Sequence, residues 1–195
     1  MREPDRRSSY QGAAPRAAVS RLQAPRRARP IAEPSAEPTI SAGRLYIRVL
    51  AAAAIVVALD QATKQWAVER LANDPIHVID GVFSLDLTYN SGGAFGLLQG
   101  LPGLFTIATL GIVAGILIGV RKLRDPRWAV PLGMVLGGGL GNAFDRLFRD
   151  SGGGVVDFID LHVWPVFNVA DMAIVIGAFV LLLVGWKDPT RGTGS

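Results

Sequence analysis

Four long apolar runs constrain this chain of 195 residues more than any other feature of its sequence. A helix rises about 1.5 Å per residue, so roughly 20 apolar residues cross the hydrocarbon core of a bilayer, about 30 Å thick. Each run is close to that length, and a soluble fold of this size needs no such set. The runs are Leu45–Ala62, Leu104–Val120, Trp128–Phe144 and Val169–Trp186. The sequence therefore predicts an all-α polytopic membrane protein with four transmembrane helices.

The N-terminal region differs in composition from the rest of the chain. Residues 1–48 contain ten arginines against four acids, and residues 1–42 contain six of the twelve prolines. Such a segment cannot bury enough apolar surface to form a core. We therefore predict a disordered Arg/Pro/Ala-rich cytoplasmic tail over residues 1–43, a four-span domain over 44–187 and a short cytoplasmic tail over 188–195. We expect the first tail to face water and lipid headgroups rather than nucleic acid.

The basic loop between the second and third runs indicates how the helices are oriented. Cytoplasmic loops carry an excess of lysine and arginine. The loop "RKLRDPR" contains four such residues, Arg121, Lys122, Arg124 and Arg127. This loop and both termini are therefore placed in the cytoplasm, and two loops, Thr63–Gly103 and Arg146–Asn168, are placed outside.

Both predicted outer loops contain segments typical of β-strands. The segment "HVIDGVFSLDLTYN" has a turn at Gly81 and places β-branched and aromatic residues in partial alternation. The segment "GVVDFIDLHVW" has a similar composition. We expect a small extracytoplasmic β-sheet that lies on the outer membrane surface against the helix ends.

The composition also excludes several classes of active site. The chain has no cysteine, which excludes thiol catalysis, disulfides and cysteine-based metal sites. Its two histidines, His77 and His162, match no HExxH pattern, and no GxxxxGK[ST] loop occurs. We therefore expect neither a metal nor an organic cofactor.

The polar residues near the runs fall at the predicted outer ends of the helices. They are Asp60, Lys64, Asn142, Asp145, Arg146, Asn168 and Asp171. Asp157, from the second outer loop, completes the group. Within each helix they are spaced mostly three or four residues apart, which places them on one face. An ionisable residue inside a membrane-spanning run is costly and usually functional. The group is therefore predicted to form one site at the outer surface.

A structural role is the simpler interpretation for part of this group. We expect Asp60 and Lys64 to form an ion pair and Asp145 to brace the end of its helix. The third run also has a stripe of small residues that lets another helix approach closely. The stripe consists of Gly133, Gly137 and Gly141.

Paired carboxylates would give this site a hydrolytic chemistry. Two carboxyl groups held close in a pocket of low dielectric share a proton, because both cannot readily ionise. One then acts as a base on water while the other donates a proton to the attacked carbonyl. No serine near the helix ends, Ser91 included, has an evident base. Three candidates for the pair follow from the residues alone, Asp145, Asp157 and Asp171.

Five motifs together resemble those of one enzyme family. "DQATK", "YNSGGAFG", "GGGLGNAFDR", "VVDF" and "FNVAD" occur in the order typical of the lipoprotein signal peptidases, also called signal peptidase II. The resemblance extends from Tyr46 to Trp186. It implies a bacterial aspartyl endopeptidase of the cytoplasmic membrane with four spans and an active site near the outer face.

The resemblance also implies roles for individual residues. The catalytic aspartates of the family fall on Asp157 and Asp171, which makes Asp145 a supporting residue. Supporting or substrate-binding roles are implied for Asn90, Asn142, Asp145, Arg146, Asn168, Asp60 and Lys64. The implied substrates are prolipoproteins, cut before a diacylglyceryl-modified cysteine, and the other implied partners are membrane lipids and globomycin-type inhibitors.

Two features depart from the family pattern. The family commonly has NTGAAF where this chain has "NSGGAF", and the segment between Asp157 and Asp171 is short. The glycines of "GGAFGLLQG" are expected to let that loop close over a substrate. The alternative to a peptidase is a small membrane transporter or proton relay, in which the same carboxylates would move ions.

Overall fold

The computed structural model describes residues 40–91, 102–149 and 152–186. In these residues the chain forms four α-helices and three β-strands. The helices are α1 (Ala42–Leu71), α2 (Pro102–Gly119), α3 (Ala129–Phe148) and α4 (Val169–Trp186), and the strands are β1 (Ile76–Ile79), β2 (Phe83–Asn90) and β3 (Val155–Asp160). Two short 3-10 turns, Val120–Lys122 and Pro126–Trp128, connect α2 to α3.

Three predictions fall on other parts of the chain. Most of the proposed N-terminal tail, all of the C-terminal tail over 188–195 and the "GGAFGLLQG" loop lie outside the described residues. The predicted boundary of the first tail, residue 43, lies one residue past the start of α1 at Ala42.

The prediction of a largely helical chain with a small sheet is confirmed. Two helices in the described part, α1 and α4, are long and apolar enough to cross a membrane, judged by length and composition. The helices α2 and α3, of 18 and 20 residues, overlap most of the second and third predicted runs. The count of four spans stays a prediction.

The helix α1 extends further than predicted, and the boundary of the first outer loop at Thr63 is wrong. The helix continues to Leu71, because Ala67 and Leu71 lie four residues apart and are both buried against the sheet. Its 30 residues correspond to about 45 Å, more than the hydrocarbon core requires. Similarly, α3 continues past Phe144 to Phe148.

Glycines bring the helices into close contact. The helix α3 packs against both α1 and α4. A Cβ atom added to Gly137 would lie 2.6 Å from the carbonyl oxygen of Ala53 in α1, and one added to Gly133 would lie 2.7 Å from that of Val49. The predicted glycine stripe therefore does bring a second helix close, and that helix is α1.

The three strands form one antiparallel sheet in the order β1-β2-β3. One face packs on the C-terminal end of α1, where the rings of Trp66 and Phe158 meet edge to face with centroids 6.4 Å apart. Successive side chains of a strand point to opposite faces. Asp157 therefore points away from α1, toward the beginning of α4.

Candidate active site

The beginning of α4 is closed by two reciprocal hydrogen bonds between Asn168 and Asp171. The Asn168 side-chain oxygen accepts from the Asp171 backbone N–H at 2.9 Å, and Asp171 Oδ2 accepts from the Asn168 backbone N–H at 3.3 Å. This is a capping box, with an Asn–Asp pair in the usual Ser/Thr–Glu positions. Asp171 therefore has a structural role at the helix N-terminus, where the helix dipole also favours a negative charge.

Asp157 is buried in the middle of β3 and accepts two amide hydrogen bonds. Its Oδ1 accepts from the Asn168 side-chain amide at 2.6 Å, and its Oδ2 accepts from that of Asn90 at 2.9 Å. Burial raises the pKa of Asp157 to about 7; the two amides act in the opposite direction, and the charge of Asp171 adds to the rise. Asp157 is therefore able to hold a proton near neutral pH.

Asn142 on α3 makes a second connection between the two carboxyl groups. Its side-chain amide donates to Asp171 Oδ1 at 2.8 Å, and its side-chain oxygen accepts from the Asn168 amide at 3.1 Å. Asn168 in turn donates to Asp157. Two asparagines thus join carboxylates that belong to different elements, β3 and α4.

A buried ion cluster lies beneath these asparagines. Lys64 Nζ is 2.9 Å from Asp60 Oδ2, 2.9 Å from Asp145 Oδ2 and 3.0 Å from Asn142 Oδ1. The Lys64, Asp60 and Asp145 side chains are fully buried. Because an ammonium has three N–H groups, each one has an acceptor here. The expected ion pair of Asp60 with Lys64 is present, and Asp145 shares the same cation.

The two carboxylates of the ion cluster also hold the backbone next to the site. Asp145 Oδ2 accepts from the backbone N–H of Val156 at 3.1 Å, and Asp60 Oδ1 accepts from that of Ala170 at 3.0 Å. Val156 immediately precedes Asp157, and Ala170 immediately precedes Asp171. The ion cluster therefore fixes the position of both elements that carry the candidate carboxylates.

Two members of this network, Gln61 and Arg149, were missed in the sequence. The Gln61 amide donates to Asp60 Oδ2 and to Asp145 Oδ1, each at 3.1 Å. Arg149 Nε donates to Asp145 Oδ1 at 3.0 Å, and its Nη2 donates to Gln61 Oε1 at 3.1 Å. Arg149 follows Asp145 by four residues, so the spacing that predicted the Asp60–Lys64 pair would also have found it.

A cavity of about 280 Å³ opens onto the two carboxyl groups. Its polar lining comes from five of the nine predicted site residues, Asn90, Asn142, Arg146, Asp157 and Asp171. The remaining lining residues are Val155, Trp164, Pro165, Val166 and Phe167. The positive charge of Arg146 is attracted by the three acids Asp171, Asp157 and Asp145. The other four predicted residues, Asp60, Lys64, Asp145 and Asn168, are buried beneath the cavity.

An apolar groove of about 420 Å³ adjoins this cavity. Asp171, Trp164 and Phe167 line both of them. The other residues of the groove are Leu161, Met172, Val175 and Ile176. In the described parts of the chain, no set of three or more acidic or histidine side chains is arranged to hold a metal ion.

This arrangement is suited to acid–base hydrolysis. One carboxyl group, that of Asp157, is able to keep a proton near neutrality, and the other, that of Asp171, lies where negative charge is stabilised. Both face one cavity that is large enough for several water molecules or a short stretch of peptide backbone.

Sequence comparison relates this chain to bacterial peptidases. The sequence model of the signal peptidase (SPase) II family matches residues 52–187. A lipoprotein signal peptidase of Rhodococcus jostii is 44% identical over 163 residues, which are 80% of this chain and 81% of that protein. One of Mycobacterium tuberculosis is 42% identical over 153 residues, 76% of each chain.

Two solved structures described as bacterial membrane enzymes have a similar fold. One superposes with a TM-score of 0.64 at 28% identity and covers 75% of this chain and 92% of its own. The other has a TM-score of 0.63 at 30% identity and covers 72% and 93%. The resemblance that the five sequence motifs suggested is confirmed, and the chain belongs to the signal peptidase II family.

Proposed function

We propose that this chain removes signal peptides from prolipoproteins by aspartic hydrolysis, with Asp157 and Asp171 as its catalytic residues. Membership of the signal peptidase II family supports the reaction and the substrate class. The observation that carries the residue assignment is their shared environment: both carboxyl groups line one cavity, and both are hydrogen-bonded to Asn168.

The reaction is a hydrolysis with no covalent intermediate. Ionised Asp171 takes a proton from a water molecule, whose oxygen attacks the carbonyl carbon of the peptide bond. Protonated Asp157 donates its proton to the developing oxyanion, which lowers the barrier. When the carbon–nitrogen bond breaks, the departing amine receives the proton that Asp171 removed from water. The products are one carboxylic acid and one amine, and Asp157 regains its proton as the carbonyl re-forms.

The apolar groove beside the cavity fits a lipid-modified substrate. The peptide bond to be cut precedes a cysteine that carries diacylglyceryl, so an acyl chain must lie close to the reacting atoms. The groove reaches Asp171 and is otherwise apolar, and it runs along α4 past Met172, Val175 and Ile176. We place one acyl chain there. Globomycin-type inhibitors are expected to compete for the same cavity.

The family and the two apolar helices support a location in the membrane. We propose four spans in the bacterial cytoplasmic membrane, with both termini in the cytoplasm. The site then lies near the outer face, at the ends of α1 and α3 and the beginning of α4. Arg121 and Lys122 between α2 and α3 are exposed and support a cytoplasmic position for that turn.

The distribution of charge argues against a transporter or proton relay. A relay requires ionisable groups at intervals through the membrane. In α1 no charged residue occurs between Arg48 and Asp60, and in α4 none follows Asp171. The acids of the described helices are instead gathered at one end, which favours hydrolysis at a surface.

Cleavage of a purified diacylglyceryl-modified prolipoprotein tests this proposal. The variants Asp157→Asn and Asp171→Asn keep the size of each side chain but cannot exchange a proton. Each is expected to reduce kcat at least about 100-fold, because a general acid or base contributes roughly 100- to 10,000-fold. The control Asp74→Asn changes an exposed aspartate between α1 and β1 and is expected to keep full activity.

Folding of each variant is checked by its thermal unfolding in detergent. Full activity of folded Asp157→Asn would transfer the second catalytic role to another acid. A wild-type enzyme that binds the prolipoprotein without cutting it would refute hydrolysis altogether.

A further inference from the structure

Ser84, Asp160 and His162 form a hydrogen-bonded cluster outside the cavity. Ser84 on β2 lies opposite Asp160 on β3 in the sheet register. Ser84 Oγ is 3.3 Å from His162 Nε2, and Asp160 Oδ2 is 3.4 Å from His162 Nδ1. The imidazole therefore connects the beginning of β2 to the chain that leaves β3.

The backbone of His162 adopts an uncommon conformation. Its φ angle is 59°, the only positive value found for a non-glycine residue in the described segments. Its backbone N–H donates to Asp160 Oδ1 at 2.7 Å. A residue keeps such a conformation only where surrounding contacts determine it. The sharp turn after β3 therefore depends on the contacts that Asp160 and Ser84 make with His162.

This turn begins a short loop that forms one wall of the active-site cavity. We call residues 161–166 the site loop. Its two ends are joined by hydrogen bonds between the backbones of Ile159 and Phe167, at 2.9 and 3.1 Å. Trp164, Pro165 and Val166 line the cavity, and Trp164 also lines the apolar groove. Within the site loop, Trp164 therefore lies between the cavity and the groove.

We propose that Ser84, His162 and Asp160 are positioning residues that hold the site loop in place and thereby determine how tightly the substrate is bound. The proposal rests on the proposed function, because it assigns substrate to both sides of Trp164. These residues act through the loop and do not touch the reacting atoms. Their loss is expected to weaken substrate binding and to leave the chemical step unchanged.

The same three residue types form the nucleophilic triad of serine hydrolases, and the atoms even pair in the same sense. Burial argues against that role here. Ser84 is only 2% exposed and lies within β2, so a substrate carbonyl cannot approach its hydroxyl. A fluorophosphonate probe, which labels activated serines, is therefore expected to leave Ser84 unmodified.

Hydrogen exchange of the free enzyme tests, without any substrate, whether the contacts of His162 and Ser84 hold the site loop in place. Amide exchange in the peptide that covers residues 160–167 is followed by mass spectrometry in detergent. His162→Ala and Ser84→Ala are expected to accelerate exchange there by about fivefold or more, the effect of losing one hydrogen bond of roughly 1 kcal/mol. The control is His77→Ala, which removes the other histidine, exposed on β1 opposite Ser84.

Steady-state kinetics on the modified prolipoprotein test the consequence for binding. His162→Ala and Ser84→Ala are expected to raise KM about fivefold while kcat stays within about twofold. His162→Gln is expected to restore most of the affinity, since its amide is able to contact both partners. The KM of the double variant Ser84→Ala/His162→Ala is expected to equal that of His162→Ala, because both changes break the same contact.

Several results would overturn the inference. They are unchanged exchange over residues 160–167 in both alanine variants, a loss of kcat at constant KM, and labelling of Ser84 by the fluorophosphonate. Failure of the wild type to cut prolipoprotein would instead contradict the proposed function. The exchange experiment does not depend on that result, so the two failures are distinguishable.

Discussion

Lys64 Nζ donates a hydrogen bond of 3.0 Å to the side-chain oxygen of Asn142, and this contact joins the buried ion cluster to the two candidate catalytic carboxyl groups. The same asparagine donates to Asp171 through its amide. A donor that withdraws electrons from one end of the amide strengthens donation from the other end. The lysine therefore supports the negative charge of Asp171 through the Asn142 side-chain amide.

Replacing Lys64 by methionine is expected to destabilise the fold strongly. Asp60 and Asp145 would be left buried without their shared cation, which costs about 3–5 kcal/mol. The free energy of unfolding, measured by denaturant titration in detergent, should fall by that amount. Lys122→Met is the control, because Lys122 is exposed in the turn after α2. Equal stability of the two variants would contradict the importance of the ion cluster.

Asn168 has two roles that a pair of substitutions separates. Asn168→Ser keeps an oxygen that caps α4 but loses the amide that donates to Asp157 and Asn142. Asn168→Ala loses both. We expect the alanine variant to be about 1 kcal/mol less stable than the serine variant.

In turnover, by contrast, the serine and alanine variants should be similarly impaired, by about 10- to 100-fold in kcat, since each lacks a hydrogen bond to a carboxyl group. Thermal unfolding and single-turnover cleavage measure the two effects. Full activity of Asn168→Ser would show that the amide contributes nothing to the reaction.

The activity is expected to fall as the pH rises past neutrality. Asp157 must hold its proton to act as the acid, and burial raises its pKa to about 7. The alkaline limb of the kcat/KM profile, which reports the pKa values of the free enzyme, should therefore lie near that value. The Asn90 amide favours the ionised form of Asp157, so Asn90→Ala should raise this pKa and move the limb to higher pH.

Thr88→Ala is the control for this pH shift. Thr88 is exposed on β2 opposite Asp157 in the register, so its loss should leave the limb in place. A limb that moves to lower pH in Asn90→Ala would contradict the assignment of Asp157 as the acid.

The sequence contains enough information for the contacts within single elements. The spacing of Asp60 and Lys64 predicts their ion pair, and the run that begins at Val169 predicts α4 to the residue. Contacts of this kind depend on helical geometry alone. The five motifs are likewise local, because each is a short contiguous segment that is read directly from the sequence.

Contacts between elements were less accessible to sequence reasoning. The bond from Asn142 to Asp171 depends on how α3 packs on α4, and no local pattern encodes that packing. Gln61 is neutral and was not distinguished by charge, although it contacts both acids of the ion cluster. The continuation of α1 to Leu71 was missed because its buried face is covered by a sheet that forms later in the sequence.

Gly137→Ala is expected to destabilise the contact between α1 and α3. Its new methyl group would lie 2.6 Å from the Ala53 carbonyl oxygen, so the helices must separate, at a cost of about 1–3 kcal/mol. Gly115→Ala on α2 is the matched control, because nothing lies within 4 Å of the added atom. It should be neutral or stabilising by up to about 1 kcal/mol. Unfolding titrations of both variants decide whether steric contact or helix propensity dominates.

The absence of cysteine permits a direct test of membrane orientation. Single cysteines are introduced as Asp74→Cys, between α1 and β1, and as Lys122→Cys, after α2; both positions are exposed. In intact cells a membrane-impermeant maleimide should label Asp74→Cys alone. Lys122→Cys should react only after the membrane is permeabilised. The opposite pattern would reverse the proposed orientation.

The bond from Asp60 to the Ala170 backbone has a consequence for the biogenesis of the enzyme. Asp60 lies on α1, which is synthesised early, whereas α4 is the last of the described helices to leave the ribosome. Asp171 reaches its position only when α4 docks against α1 and α3. A nascent chain of which only α1, α2 and α3 have left the ribosome lacks Asp171, the base in the proposed mechanism. If Asp171 is the base, as proposed, the capacity for proteolysis is acquired only when α4 docks.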